Sequence, residues 1–295
     1  MPTAPSTTSL SHTRGLILIH LAVFLFGFAG LFGIFLSCSP LYIVLGRTFF
    51  GAFALFAYAK VISKTKLTGF MRKDLAFFVL QGILLAAHWL TFFISIQISS
   101  VAIGLVTFSS FPLFVTFMEP LFFKERLKPI DVVTAFAVLV GIILVVPDFD
   151  LSNQVTMGCF YGILSGFTFA VLGLVNRRNA RLASPIAVAY FQNLFAAAFL
   201  IIPILVLTPA LPTLDELPTL MVLGIVFTAL AHTWFISGLT RIRVQTASVI
   251  AGMEPVYGIV FAFFLLNEIP DLTTLAGGTL IIGTTIAAGV LSKTP

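Results

Sequence analysis

The sequence predicts an all-α polytopic membrane protein: ten transmembrane helices forming two inverted five-helix repeats, with both termini cytoplasmic. Three observations predict it. The first is composition, since 59% of the 295 residues are hydrophobic, only 9% are charged, and the mean hydropathy is +1.12, whereas a soluble domain carries about 25% charged residues. The second is a succession of apolar stretches of about 20 residues, the length that crosses a hydrocarbon core. The third is the segregation of charge between alternate loops. Composition alone excludes a soluble globular domain. The 33 Phe and the lack of a polar low-complexity tract exclude a disordered chain, a coiled coil and a collagenous fibre.

The elements follow in order. Residues 1–14 form a polar cytoplasmic N-terminus that leads into span 1, near 15–36, with no evident small-residue cleavage site; an uncleaved span is expected rather than a removed signal peptide. Ser39-Pro40 opens span 2, near 40–60, and Lys60, Lys64, Lys66, Arg72 and Lys73 separate it from span 3, near 75–98. An uncharged turn joins span 3 to span 4, near 100–123, which ends at Lys124, Arg126 and Lys128. Span 5, near 130–147, ends at Asp148 and Asp150. Span 6, near 155–175, is closed by Arg177, Arg178 and Arg181, and Ser184-Pro185 opens span 7, near 184–207. Asp215 and Glu216 precede span 8, near 217–240, which ends at Arg241 and Arg243. Glu268 and Asp271 divide span 9, near 244–266, from span 10, near 272–291, and residues 293–295 form a cytoplasmic C-terminus with Lys293.

With ten spans, every Lys and Arg except Arg47 falls on one side, and the opposite loops hold acidic residues. The net charge of +5 and the pI near 9.4 then reflect the excess of basic residues in cytoplasmic loops, with no nucleic-acid partner implied. Cys38 and Cys159 form no metal-binding pattern; two free thiols or a disulfide are both open.

The halves, 15–150 and 151–292, match each other in order. Leu25-Phe26-Gly27-Phe28 aligns with Leu164-Ser165-Gly166-Phe167, and Ser39-Pro40 with Ser184-Pro185. Phe93-Ile94-Ser95 aligns with Phe235-Ile236-Ser237, and Pro112 followed by Glu125 with Pro255 followed by Glu268. An odd number of spans per unit forces the two units into opposite orientations. Inverted repeats of this kind are a signature of secondary transporters.

Four stretches then carry a family resemblance: Gly46-Arg47; the run His88-Trp89-Leu90-Thr91-Phe92-Phe93 leading to Ser99-Ser100-Val101-Ala102; Pro112 to Lys124-Glu125-Arg126-Leu127; and Glu254-Pro255 to Glu268. On these the chain resembles the drug/metabolite transporter superfamily, specifically EamA-type transporters, from about residue 15 onward. The resemblance implies an exporter of a small polar metabolite, with an amino acid or its derivative favoured, in a bacterial inner membrane; other members move sugars, nucleotide sugars or cofactors. Ile269-Pro270-Asp271 departs from the basic residue that follows Glu125, so no role of Arg126 transfers to the second repeat.

Ionisable groups inside a membrane are costly and therefore functional candidates. Arg47 lies about 10 Å into span 2, where it either binds a substrate carboxylate or phosphate or snorkels to outer headgroups. Glu254, placed near the middle of span 9, is a proton-coupling carboxylate, a partner for a substrate ammonium, or a buried group neutral or paired with Arg47. Tyr257 shares its helix face. Glu119 sits on a stripe with Ser109, Pro112 and Thr116 that faces a cavity, or else forms a surface ion pair.

His88 and His232 occupy corresponding spans, with Gln81, Thr91 and Ser95 on the stripe of the first and Thr228 on that of the second. They serve either as neutral hydrogen-bonded residues or as relays and substrate contacts. Trp89 and Trp234 lie away from the interfaces where tryptophan anchors and either line a cavity or pack in the core. Gln192 and Asn193 stand at and beside the repeat position of Arg47. Small residues four apart, Gly158, Gly162, Gly166 and Ala170, with Ala29 and Gly33, are expected to let helices approach closely. Glu125 and Glu268 are expected to cap or brace spans 5 and 10 in a tight hairpin.

No metal-ligand spacing, HExxH, GxSxG, Walker A or GxGxxG pattern occurs. The expectation is a non-enzymatic carrier with no cofactor, a small-molecule substrate and the lipid bilayer as partners. Proton coupling, uncoupled facilitation, and a flippase or receptor role remain open.

Overall fold

The computed structural model describes residues 7–123, 129–145 and 152–291. Helix α1 (Thr7–Ala29) starts within the polar N-terminal stretch, and a turn at Gly30–Leu31 separates it from the short α2 (Phe32–Phe35). Helix α3 (Pro40–Ala57) continues into a π-helical turn at Tyr58–Ile62, and α4 (Arg72–Ile98) follows. Then come α5 (Val101–Phe108), α6 (Phe111–Phe123) and α7 (Pro129–Val145). The second half holds α8 (Gln154–Asn179), α9 (Pro185–Leu207), α10 (Leu217–Gly224), a π-helical segment Ile225–Leu230, α11 (Ala231–Leu239), α12 (Val244–Ala251), α13 (Glu254–Leu266) and α14 (Leu272–Leu291). No strand occurs among the described residues.

Local chemistry sets several of these starts. Ser39 and Ser184 cap α3 and α9, their side chains accepting from Leu41 N and from Ala187 N at 3.2 Å, and Pro40 and Pro185 occupy the first helical position, where a missing N–H costs nothing. Ser100 caps α5 and Asn153 caps α8 in the same way.

Among the described residues, seven segments are long and apolar enough to cross a membrane: Ser11–Phe35, Pro40–Ile62, Arg72–Ile98, Val101–Phe123, Gln154–Asn179, Pro185–Leu207 and Leu214–Leu239. Spans expected near 130–147, 244–266 and 272–291 fall on the shorter apolar helices Val132–Val145, Glu254–Leu266 and Leu272–Thr284. Two spans expected to be continuous are broken. Span 4 divides at Ser109–Ser110 and span 9 at Gly252–Met253, with Pro112 and Pro255 in the first turns that restart them. A proline opening a helix lacks only a donor that would have no partner there, so the interruption falls just before it. Residues 1–6, the junction 146–151 and the tail 292–295, including Lys293, lie outside the described residues, as does the basic loop 124–128.

The halves pack reciprocally. Helix α1 packs on α11 as α8 packs on α4; α3 packs on α10 and its π segment as α9 packs on α4; and α1 packs on α13 as α8 packs on α6. The self-matching pairs α3 with α9 and α7 with α14 are also formed. The expected glycine stripe acts as predicted. A Cβ on Gly158 or Gly166 would lie 2.5 Å from Ser99 Oγ or 2.7 Å from Phe108 O, and one on Gly162 would strike Thr107 Oγ1. The main core clusters Phe93, Phe108, Phe111 and Leu105 in the interior, while Phe49, Phe53, Leu205 and Phe264 stay exposed on the periphery, as expected where the solvent is hydrocarbon.

Acidic residues staple loops of one half to the other. Glu216 Oε1 accepts from Ser37 N and Cys38 N at 2.8 and 2.9 Å. Glu268 accepts from Val101 N at 3.2 Å and Ala102 N at 2.8 Å. Capping of span 10, one of the two roles expected of Glu268, is thus corrected. The carboxylate caps α5, whose first N–H groups lack helical partners, and Asp271 caps α14 through Thr274 N at 2.6 Å. Glu125 lies outside the described residues. Cys38 and Cys159 are both free and buried; at the loop position 38, burial and the nearby Glu216 charge push the thiol up to about 11.

Candidate functional site

The buried polar groups converge on a central cavity to which both halves contribute. Arg47 comes from α3, His88 and Trp89 from α4, His232 from α11 and Glu254 from the first position of α13; Phe26, Ala29, Phe92, Phe108 and Phe169 complete its wall. The cavity is small, about 20 Å³, room for about one water. It is therefore too small for a metabolite in this conformation, and one fits only if helices separate.

Arg47 is 2% exposed, so it does not reach a headgroup region by snorkelling. Its Nε donates to Thr228 Oγ1 at 3.0 Å and Nη2 to Phe227 O at 3.4 Å. Both partners belong to the π-helical segment Ile225–Leu230. There Thr228 Oγ1 also donates to Leu223 O at 2.8 Å, five residues back, and the wider turn presents a carbonyl and a hydroxyl to the guanidinium. Such π bulges recur at functional sites. The guanidinium carbon lies 3.5 Å from the Trp89 ring centroid, and His232 meets the same indole edge-on with centroids 4.8 Å apart.

Glu254 is buried and lines the cavity, but no ion pair with Arg47 is formed among the described residues. Its placement differs from expectation, because the break before α13 puts the carboxylate at a helix N-terminus instead of mid-helix. Close approach of α1 and α13 fixes this end: a Cβ on Gly27 would lie 2.9 Å from Glu254 O and 2.7 Å from Tyr257 Cβ.

The histidines are held by neighbours. Ser165 Oγ donates to His88 O at 3.0 Å and lies 2.8 Å from His88 Nδ1; with the hydroxyl proton committed, Nδ1 is the donor. His232 Nδ1 meets Gln192 Nε2 at 3.1 Å, and Gln192 Oε1 accepts from Gln81 Nε2 at 2.9 Å. Gln81 also bonds Asn176 Oδ1, and Asn179 Nδ2 donates to Gln81 Oε1 at 2.7 Å. A buried amide chain thus leads from the cavity wall to Arg178, which donates to Asn179 Oδ1 at 2.9 Å.

The other candidates lie elsewhere. Asn193 is fully buried on α9 beside Gly51 of α3, its Nδ2 donating to Ala189 O and its Oδ1 without a partner among the described residues. Trp234 lines a lateral groove with Leu55 and Tyr58, and Tyr257 stacks edge-on against Phe24 at 5.4 Å. Glu119 is buried and paired with Arg177 at 2.5 Å, where a surface pair was one expectation. Among the described residues no group of three metal-ligating side chains occurs. Sequence reasoning missed the aromatic wall and Asn176 and Asn179. Nothing in the pattern separates five lining apolar residues from the rest of so aromatic a chain.

Comparison with known proteins extends these observations. The chain is similar to an S-adenosylmethionine uptake transporter of Rickettsia conorii, 25% identical over 70% of this chain and 69% of that one. It is also similar to a pseudopaline exporter of Pseudomonas aeruginosa, 27% identical over 76% and 77%, and to an uncharacterized transporter of Helicobacter pylori, 29% identical over 75% of each. A solved crystal structure shares the fold with a TM-score of 0.73 at 17% identity, covering 96% of this chain and all of the other. The EamA-like transporter family matches residues 13–146 and again 156–289. A duplicated apolar helical architecture, multiple membrane-length helices and both matches agree: the chain is a multi-pass membrane protein and belongs to the EamA-like transporter family.

Proposed function

We propose that the protein is a secondary transporter of a small polar metabolite, an amino acid or a derivative of one, working by alternating access of two inverted five-helix repeats. In this reading ten spans cross a bacterial inner membrane, the repeats occupy 15–150 and 151–292, and the basic loops and both termini are cytoplasmic. The observation that carries it is the meeting of Arg47 and Glu254, one from each half, at one small central cavity. A guanidinium addresses a carboxylate and a carboxylate addresses an ammonium, so the pair fits a zwitterion. His88, Trp89 and His232 border the same space. Gln192 supports His232 from behind, and Asn193, Trp234 and Tyr257 act through helix packing. One relative is named for uptake and another for export; export follows the family resemblance.

Counterflow in proteoliposomes with labelled amino acids, nucleotides and sugars tests the reading, with Arg47→Ala and Glu254→Gln under imposed pH gradients and with oriented protein to read direction. Saturable amino-acid exchange lost in Arg47→Ala supports the zwitterion site. A pH-gradient response lost in Glu254→Gln makes that carboxylate the coupling group; exchange indifferent to the gradient makes the protein an uncoupled carrier. No exchange by folded, inserted protein refutes the metabolite-carrier reading.

A further inference from the structure

A second cavity, open and about 670 Å³ in volume, lies apart from the central one at the basic ends of α8 and α11. Its wall includes Arg177, Arg181, Arg241 and Arg243, with His12 and Thr240. The tendency of basic residues to collect on one face of a membrane protein explains their presence there. It does not explain why four arginines, two from the end of α8 and the turn after it and two from the turn after α11, converge on one concave surface, with no lysine in its described wall. Arginine is the residue whose planar fork matches a phosphate in a bidentate way.

The four are not equivalent. Arg177 is committed to Glu119 at 2.5 Å and lies over the Phe123 ring at 4.3 Å, and Arg243 has other contacts of its own. Arg241 is oriented by its Nη1, which donates to Ser237 O at 2.6 Å and Thr240 Oγ1 at 3.0 Å. That leaves its Nε and Nη2 donors unused by any described residue. Among the described residues the Arg181 guanidinium meets only the face of Phe123, 5.4 Å away, and none of them takes its donors. Two positioned arginines with unused donors, backed by two engaged ones, surround a cavity large enough for a phosphate and the group that carries it.

We infer that this cavity is an anion site that takes a phosphate-bearing group, from an anionic phospholipid headgroup or from a soluble phosphate compound. It is distinct from the central cavity but linked to it along one helix face. His232 borders the central cavity, Phe235 contacts Phe26 and Phe169, and Leu239 lines the basic cavity. These positions on α11 are three and four apart, so they share a face, and the two cavities stand about 10 Å apart along it.

The test is equilibrium binding to the full-length protein in nanodiscs, which does not depend on transport. In phosphatidylcholine nanodiscs, radiolabelled inorganic pyrophosphate binds wild type saturably at one per chain, and Arg181→Gln/Arg241→Gln weakens it about tenfold or more. Arg181→Lys/Arg241→Lys retains part of the affinity. With cardiolipin added to the nanodiscs, loss of pyrophosphate binding, together with cardiolipin that co-purifies with wild type and not with the double variant, assigns the site to the lipid headgroup. Unchanged pyrophosphate affinity assigns it to a soluble phosphate compound. The inference is overturned if wild type neither binds pyrophosphate saturably nor retains cardiolipin beyond the double variant, or if the variant binds as well as wild type. If the double variant does not fold, Arg181→Gln, which removes no described hydrogen bond, gives the same reading.

Discussion

Arg47 and Trp89 are stacked, with the guanidinium carbon 3.5 Å from the indole centroid. A desolvated cation–π contact of this kind is worth about 2 kcal/mol, or about 30-fold in affinity. The planar fork also holds Thr228 through Nε, which an ammonium cannot reproduce in the same plane. Arg47→Lys is therefore expected to lower saturable exchange at least tenfold despite keeping the charge. Trp89→Phe, which keeps a π face, is expected to be milder than Trp89→Leu. Equal loss in Trp89→Phe and Trp89→Leu in counterflow assays would argue that ring volume, not its face, matters.

Glu268 offers both carboxylate oxygens to the first N–H groups of α5, from the other half of the chain. Removing a cap costs about 1 kcal/mol. Glu268→Ala is expected to lower the thermal unfolding midpoint and to raise amide exchange at Val101 and Ala102 before other residues of the spans. Exchange rising first in α14 instead would restore the capping role expected for span 10.

Asp271 accepts from Thr274 N at 2.6 Å and Thr273 Oγ1 at 3.0 Å, and these bonds hold its carboxyl below the ordinary 3.8. A depressed carboxylate stabilises the fold above its unfolded pKa and loses that contribution as pH falls through the folded one. The stability gap between wild type and Asp271→Ala, about 1 kcal/mol for a cap, is expected to hold from neutral pH down to about 5. It then shrinks below 3.8. Thermal unfolding across that range measures it; a gap that widens on acidification would contradict the assignment.

Much of the fold was legible because membrane insertion imposes length, apolarity and charge rules on the chain itself. Ser39-Pro40 and Ser184-Pro185 marked helix starts that the structure contains. The breaks before Pro112 and Pro255 were not read, since a search for apolar stretches of about 20 residues passes over a two-residue interruption. The π segment that brings Thr228 to Arg47 was equally hidden: Thr228 and His232 keep helical spacing in the sequence, and only the backbone shows the wider turn. Arg47, His88, His232 and Glu254 stood out because ionisable groups are rare in these spans, and Trp89 because it lies away from the interfaces. Trp234 stood out for lying away from the interfaces and Tyr257 for sharing the helix face of Glu254, yet they face a groove and Phe24, because neither signal fixes the direction of a side chain.

The amide chain behind His232 supplies the last expectation. Gln81 on α4 bonds Gln192 on α9 and Asn176 and Asn179 on α8, so one side chain ties the first half to two helices of the second. Leaving a buried amide without a partner costs about 1–3 kcal/mol, whereas hydrogen bonds between membrane helices average about 0.6 kcal/mol by double-mutant cycles. The asymmetry predicts the outcome of a cycle. Gln192→Leu leaves a Gln81 donor and the His232 Nδ1 acceptor without their partner and is expected to lower stability by more than the pair contributes. Gln81→Leu removes the hub and leaves three amides partly unsatisfied, so it is expected to be the worse single change. The double variant Gln81→Leu/Gln192→Leu removes both members of one bond and is expected to be less destabilised than the sum of the two. Unfolding of each variant in the same detergent measures the coupling. Strict additivity would mean that the two glutamines do not share a bond that matters to the fold.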